Sequence, residues 1–203
     1  MRHSNLYAKG APMGERALFL DRDGVVNREV GFLVHKEEVQ FVDGIFSLCK
    51  TARRLGYRLV IVTNQAGIAR GFYTEADYHA LMKWMREQFR REGVVFDGVY
   101  HSPYHPEHGV GKFKREHEDR KPGAGMLRRA ARDLGLVLAE SVMVGDRCTD
   151  VGAANAGGLR QAFLLRGTED APCGGVYARV DSLGEVEAWL VESERAGGVR
   201  PAR

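Results

Sequence analysis

The stretch Ala17-Leu18-Phe19-Leu20-Asp21-Arg22-Asp23-Gly24 decides how the rest of the chain is read. Four apolar residues run without a break into two aspartates spaced i, i+2, and then a glycine. A continuous apolar run suits a strand buried on both faces, and the C-terminal tip of such a strand is where an open α/β sheet meets its ligands. Residues two apart share a strand face, and the glycine lets the backbone turn so that a carbonyl joins the carboxylates. One carboxylate is then placed to attack and to bind a hard cation, while the other handles a proton. The triplet alone is a weak signal, so its meaning depends on what stands at the neighbouring strand ends.

Working outward, apolar runs at 58–62, 95–100, 141–144 and 161–165 read as further strands. They alternate with helical patterns at 44–55, 74–92, 125–134 and 151–156, and a last helix is expected over 182–191. Thr74 and Asp77 form a capping pair for the longest helix, and Tyr78, Leu81, Met82, Met85 and Phe89 recur on one stripe that belongs to the core. The alternation predicts an α/β protein with a doubly wound, Rossmann-like parallel sheet. A single domain over 16–193 is expected, with a flexible leader at 1–15 and a flexible tail at 194–203.

With 203 residues, 44% hydrophobic and 28% charged, the chain can bury one full core. It has no apolar stretch of membrane-spanning length, so no membrane partner is expected. The net charge of +3 is mild. Arg86, Arg90 and Arg91, and likewise Arg128, Arg129 and Arg132, fall at helical spacing and read as solvated faces. No basic stripe with interleaved aromatics is present, which argues against a nucleic-acid partner. Cys49, Cys148 and Cys173 are odd in number and far apart, so no disulfide framework is expected and a reducing cytoplasm is the default.

The expected second strand ends in Thr63-Asn64-Gln65, whose hydroxyl and amide can donate to phosphate oxygens. The fourth ends in Gly145-Asp146, followed by Asp150. Between them lies Arg120-Lys121-Pro122, with two fixed positive charges and a proline expected near the first turn of a helix. Each cluster alone has a plain reading as a capping turn, an N-cap or solvated charge. Four of them in order at four strand ends point to a phosphoryl-transfer site.

The ordered set Asp21-Arg22-Asp23-Gly24, Thr63-Asn64, Lys121 and Gly145-Asp146 with Asp150 strongly resembles the haloacid dehalogenase superfamily of phosphatases. The resemblance implies that Asp21 is the nucleophile, that Asp23 is the general acid/base, and that Thr63 and Lys121 hold the phosphoryl group. It implies a magnesium ion on Asp21, Asp146 and the Asp23 backbone oxygen. The gaps between Asp23 and Thr63 and between Thr63 and Arg120 are too short for a cap domain, so a capless enzyme is expected, with specificity set by loops at 27–33, 65–72 and 102–119.

Those loops are similar to the D-glycero-D-manno-heptose 1,7-bisphosphate 7-phosphatase subfamily, above all in Gly67-Ile68-Ala69-Arg70-Gly71 after Thr63-Asn64-Gln65. By that resemblance Glu29, Val30, Gly31, Phe32, Thr63, Asn64, Gln65, Ala66, Arg120, Lys121 and Arg147 line a sugar bisphosphate site. Arg147 stands where a lysine is common. The implied activity removes the C7 phosphate and leaves heptose 1-phosphate for bacterial surface polysaccharide, in the cytoplasm, by a monomer. The subfamily's structural zinc is expected to be absent. Its three cysteines and one histidine are replaced by Ser102, Tyr104, His117 and Asp119, although His101, His105, His108 and His117 crowd the loop. Alternative readings are a histidinol-phosphate or other small phosphomonoester phosphatase, and a catalytically inactive binding module on the same scaffold.

Overall fold

A computed structural model describes residues 14–166 and 172–196. Six strands, β1 (Arg16–Leu20), β2 (Tyr57–Asn64), β3 (Gly98–Ser102), β4 (Val142–Gly145), β5 (Gln161–Leu165) and β6 (Ala178–Val180), form one sheet in the order β3-β2-β1-β4-β5-β6. Every pairing is parallel. The helices are α1 (Ile45–Arg54), α2 (Ala66–Ala69), α3 (Glu75–Arg91), α4 (Gly125–Leu134), α5 (Cys148–Gly157) and α6 (Leu183–Ala196).

The period-2 alternation of β1 explains the double winding. Leu18 and Leu20 join the core under α1, α3 and α6, while Ala17 and Phe19 join the one under α4 and α5. Both sets are fully buried. The order of strands reverses at β1, so Asp21 emerges between the ends of β2 and β4, at the switch point where such sheets bind ligands. The Thr74–Asp77 capping box and the buried stripe of α3 form as the sequence predicts.

Several expectations are corrected. The third strand begins at Gly98 rather than at 95, because Phe96 turns into the core against Phe89. Asp97 then uses its carboxylate to accept from Leu59 N and from Arg53 and Arg58, each at 2.8 Å. Helix α5 starts at Cys148 instead of 151, its first turn capped by Asp150 Oδ2 accepting from Arg147 N at 3.0 Å. Pro122 stands in a cis peptide three residues before α4 rather than in its first turn. Strand β6 and the short α2 complete the fold without a sequence period to announce them.

Two further corrections concern the chain's ties. Cys148 and Cys173 form a disulfide, against the expectation that no disulfide framework is present, because β5 returns the chain to α5 with the two Cα atoms 5.1 Å apart. Of the expected leader, 1–13 lie outside the described residues, while Glu15 bridges to Leu136. Helix α6 runs to Ala196, past the expected tail boundary, and Glu194 pairs with Arg16 at 2.6 Å. The remaining tail, 197–203, lies outside the described residues.

Phe89 is fully buried amid Phe41, Phe46 and Phe96. Phe89→Ala is expected to cost about 3–5 kcal/mol, read from the denaturant midpoint.

Candidate active site

The site begins where β1 ends. Asp21 N donates to Val144 O at 3.0 Å, which carries sheet pairing one residue beyond the strand and fixes the backbone beneath the carboxylate. Two glycines make room for the acidic cluster. A Cβ on Gly24, whose φ is +84°, would overlap the Asp146 carboxylate, and one on Gly145 would overlap Asp150. The glycines beside Asp23 and Asp146 are thus steric requirements for bringing three aspartates together.

Lys121 sits inside this cluster, only 2% exposed. Its Nζ lies 2.8 Å from Asp21 Oδ1 and 2.5 Å from Asp150 Oδ1, and donates to Val62 O at 3.1 Å. Burial works against the ammonium charge, but Asp150 and Asp21 outweigh it and keep the lysine protonated. Asn64 clamps the Lys121 backbone at both ends, donating to its carbonyl and accepting from its N–H at 3.0 Å each. Asn64 therefore spends its amide on placing Lys121, although it also lines the cleft.

Carboxylate oxygens of Asp21, Asp146 and Asp150 lie within 4.8 Å of one another. Burial pushes the Asp21 carboxyl up to about 8, opposed by Lys121 and reinforced by Asp150 and Asp146. Burial and then Asp150 push Asp146 up to about 7. Asp146 Oδ1 is buried with no hydrogen-bond partner. Three carboxylates against one ammonium, with an orphaned oxygen among them, form a donor set that fits a hard divalent cation. Asp150 enters this group in addition to the expected ligands. It was visible in the sequence as a partner of Asp146, but its contact with Lys121 was not.

Asp23 lies apart from that cluster. Its carboxylate accepts from Arg22 Nε and Nη2, from Asn27 Nδ2 at 3.0 Å and from Gln65 Nε2 at 3.1 Å. Arg22 is 1% exposed, so this is a buried bidentate pair. Thr63 is buried at the end of β2, where its Oγ1 accepts from Gln65 Nε2 at 2.8 Å. Because that hydroxyl accepts from Gln65, its own hydrogen remains free for another acceptor.

Around these groups opens a cleft of about 410 Å³. Of the expected substrate residues, Glu29, Gly31, Phe32, Thr63, Asn64, Gln65, Ala66, Arg120, Lys121 and Arg147 line it. Val30 is not among its lining residues and is half exposed. Glu29 accepts from Arg147 Nη2 at 3.0 Å and from Gly31 N at 2.7 Å, which ties the first loop to the start of α5. Gln65 is buried with both amide hydrogens already engaged, so it faces Asp23 and Thr63 rather than offering a free donor to a ligand.

The residue-level reading missed Arg70, Tyr73, His105 and Thr149, which also line the cleft. The first three fall in or next to the loops singled out from the sequence, but nothing in their spacing said which would turn inward. Among the described residues, neither Arg70 nor Arg120 forms an ion pair with a carboxylate, and Arg70 Nε is buried without a partner. Burial lowers the Arg120 pKa, the nearby Glu116 charge opposes that, and the Arg70 charge adds to the lowering.

In the third loop, His117 stacks on Tyr104 with ring centroids 4.1 Å apart and accepts from Asp119 N at 3.1 Å. Asp119 pairs with Arg129 at 2.6 Å. Tyr104 also accepts from Arg115 at 3.0 Å, and its carbonyl accepts from Arg120 at 3.1 Å. Ring stacking, hydrogen bonds and a charge pair thus hold three of the positions compared above with zinc ligands, Tyr104, His117 and Asp119, whereas Ser102 Oγ is buried without a hydrogen-bond partner.

The HAD-hydrolase-like family profile matches residues 119–181, which span Lys121, Asp146 and Asp150. A D-glycero-beta-D-manno-heptose-1,7-bisphosphate 7-phosphatase of Vibrio cholerae is 41% identical over 186 residues, 90% of this chain and 100% of the relative. A D-glycero-alpha-D-manno-heptose-1,7-bisphosphate 7-phosphatase of Burkholderia mallei is 48% identical over 153 residues, 75% of this chain and 81% of the relative. The crystal structure of D,D-heptose 1,7-bisphosphate phosphatase from B. bronchiseptica, complexed with magnesium and phosphate, is similar with a TM-score of 0.73 at 28% identity, over 88% of this chain and 99% of that one. A HAD-like phosphatase from Mesorhizobium loti is similar with a TM-score of 0.82 at 33% identity, over 98% of this chain and 94% of that one. Identities of 41% and 48% over most of the chain place it in the D-glycero-D-manno-heptose-1,7-bisphosphate 7-phosphatase family of HAD-like hydrolases.

Proposed function

We propose that this protein removes the C7 phosphate of D-glycero-D-manno-heptose 1,7-bisphosphate and leaves heptose 1-phosphate for activated-heptose supply. The observation that carries the substrate is the charge balance of the cleft. Lys121 and Arg147 are paired with carboxylates, whereas Arg70 and Arg120 are not. Two guanidiniums without carboxylate partners suit a ligand with a second phosphoryl group. Histidinol phosphate would bring an amine and an imidazole to the same positive cleft, which disfavours it. A binding module without chemistry has no use for the costly burial of Asp21 and Lys121 together.

Asp21 attacks phosphorus, the bond to the sugar oxygen breaks, and its electron pair leaves with that oxygen, which takes a proton from Asp23. Asp23 then accepts a proton from water as the water attacks the aspartyl phosphate, releasing phosphate and restoring Asp21. Lys121 and the Thr63 hydroxyl hold the phosphoryl oxygens throughout. Asp21, Asp146 and the Asp23 carbonyl, with Asp150 alongside, would hold magnesium, which screens the repulsion between carboxylate and phosphate.

The network of Tyr104, His117, Asp119 and Arg129 takes the structural place of zinc in the third loop. The enzyme is proposed to act as a monomer, without a nucleic-acid or membrane partner. Among the described residues, no helix is long and apolar enough to cross a membrane. A phosphorylated sugar is retained by membranes, so the site of action is the cytoplasm.

Asp21→Asn is expected to lower kcat more than about 10³-fold with the fold intact by circular dichroism, and retained turnover sinks the assignment. Arg70→Met should raise KM for the bisphosphate about tenfold while changing KM for a sugar monophosphate far less. Magnesium must displace the protons that Asp21 and Asp146, at about 8 and about 7, carry near neutrality. Magnesium binding should therefore release protons at pH 7 and tighten as pH rises from 6 to 8, measured by calorimetry in buffers of different ionisation enthalpy. Asp146→Asn should abolish most of that release.

A further inference from the structure

The amide of Gln65 stands between the proton-transfer carboxylate and the phosphoryl-holding hydroxyl, and a tyrosine outside the chemistry sets which way it points. One amide hydrogen goes to Asp23 Oδ2 at 3.1 Å and the other to Thr63 Oγ1 at 2.8 Å. The amide oxygen accepts from Tyr73 Oη at 2.6 Å. A side-chain amide can be flipped at little internal cost, and only its partners decide between the two orientations. The Tyr73 phenol is mostly buried, and burial pushes its pKa up to about 12, so it keeps the proton it donates. The flipped amide would leave the buried Tyr73 hydroxyl hydrogen without its acceptor and set a carbonyl oxygen against the Asp23 carboxylate.

The surroundings favour this arrangement from three sides. Gly67 has no side chain where a Cβ would overlap the Tyr73 ring. Gln65 N donates to Ser102 O at 2.8 Å, which extends the β2–β3 pairing to the residue that carries the amide. Asp23 Oδ1 already receives Arg22 Nε, Arg22 Nη2 and Asn27 Nδ2, whereas Oδ2 receives only Arg22 Nη2 and Gln65. Oδ2 is thus the oxygen with room for a transferred proton, and it is the one Gln65 touches.

We propose that Tyr73 and Gln65 are positioning residues: Tyr73 locks the Gln65 amide so that one N–H aims Asp23 Oδ2 at the leaving oxygen. The proposal rests on the phosphatase reading of Asp21 and Asp23 given above, and it concerns the placement of groups rather than which sugar is bound. Aryl phosphates test it independently of the sugar. Phenyl phosphate needs a proton delivered to its departing oxygen, and 2,4-dinitrophenyl phosphate does not.

The experiment measures the pre-steady-state burst of wild type, Tyr73→Phe and Gln65→Met on both compounds, with magnesium present. Both variants are expected to slow phosphorylation by phenyl phosphate about tenfold, a part of the roughly 10²–10⁴-fold that general acid catalysis supplies. The burst with 2,4-dinitrophenyl phosphate should change less than about twofold, while its later steady state falls because Asp23 must still activate water. Gly67→Ala, which displaces the Tyr73 ring and leaves both polar groups in place, should reproduce the split. An equal loss on the two compounds marks a merely structural role and overturns the proposal, as does no loss on either. A wild type that releases no phosphate from heptose 1,7-bisphosphate would overturn the function, a failure distinct from either of these.

Discussion

Everything at this site hangs from one buried ammonium. Lys121 joins Asp21 at the end of β1, Asp150 in the first turn of α5 and the Val62 carbonyl near the end of β2. Three elements that meet only through the sheet are thereby locked to one atom. A buried ion group of this kind contributes little net stability, since desolvation offsets most of the attraction, but removing one member leaves a charge stranded. The arrangement is therefore better understood as a positional constraint. It holds Asp21, the proposed nucleophile, whose pKa burial raises, next to a cation that opposes that rise.

How much of this was legible in the sequence depends on the kind of cause. Strands β1, β2 and β4 were legible because both faces are buried and the code for that is a plain apolar run. Asp21, Asp23, Thr63 and Asp146 were legible because each closely follows such a run, and Lys121 because two fixed positive charges stand together before a proline in the stretch between Thr63 and Asp146. Strand β6 and helix α2 were not, because three or four residues carry no period and form only when a prepared edge or loop receives them. The disulfide was hidden for the same reason. Cys148 and Cys173 are separated by 25 residues, and only the return of β5 beside α5 brings them together. Gln65 was legible as a site residue, yet its partners Tyr73 and Asp23 are set by tertiary packing. Its apparent task shifted accordingly, from touching a ligand to placing the groups that do.

The disulfide and the loop network belong to the periphery of the same design. Closing a 25-residue loop restricts the unfolded chain by roughly 3.5 kcal/mol in the chain-entropy picture. That loop contains α5, whose first turn carries Asp150. Asn155 of α5 also donates to Val176 O and accepts from Val176 N, so the segment after Cys173 is held by hydrogen bonds as well as by sulfur. In the third loop, stacked rings and charge pairs join residues distant in sequence, and Val110 N donates to Ala69 O at 2.8 Å to dock that loop on α2. The walls of the cleft are braced against one another.

The trough itself is roofless among the described residues: the segments between Asp23 and Thr63 and between Thr63 and Arg120 hold sheet-packed helices, short turns and loops, and no lid. A site whose floor is strand ends and whose walls are mutually pinned is assembled before any ligand arrives. Among the described residues it has no lid whose closing stroke solvent friction could slow. Its turnover is then insensitive to viscosity until the rate of encounter itself becomes limiting.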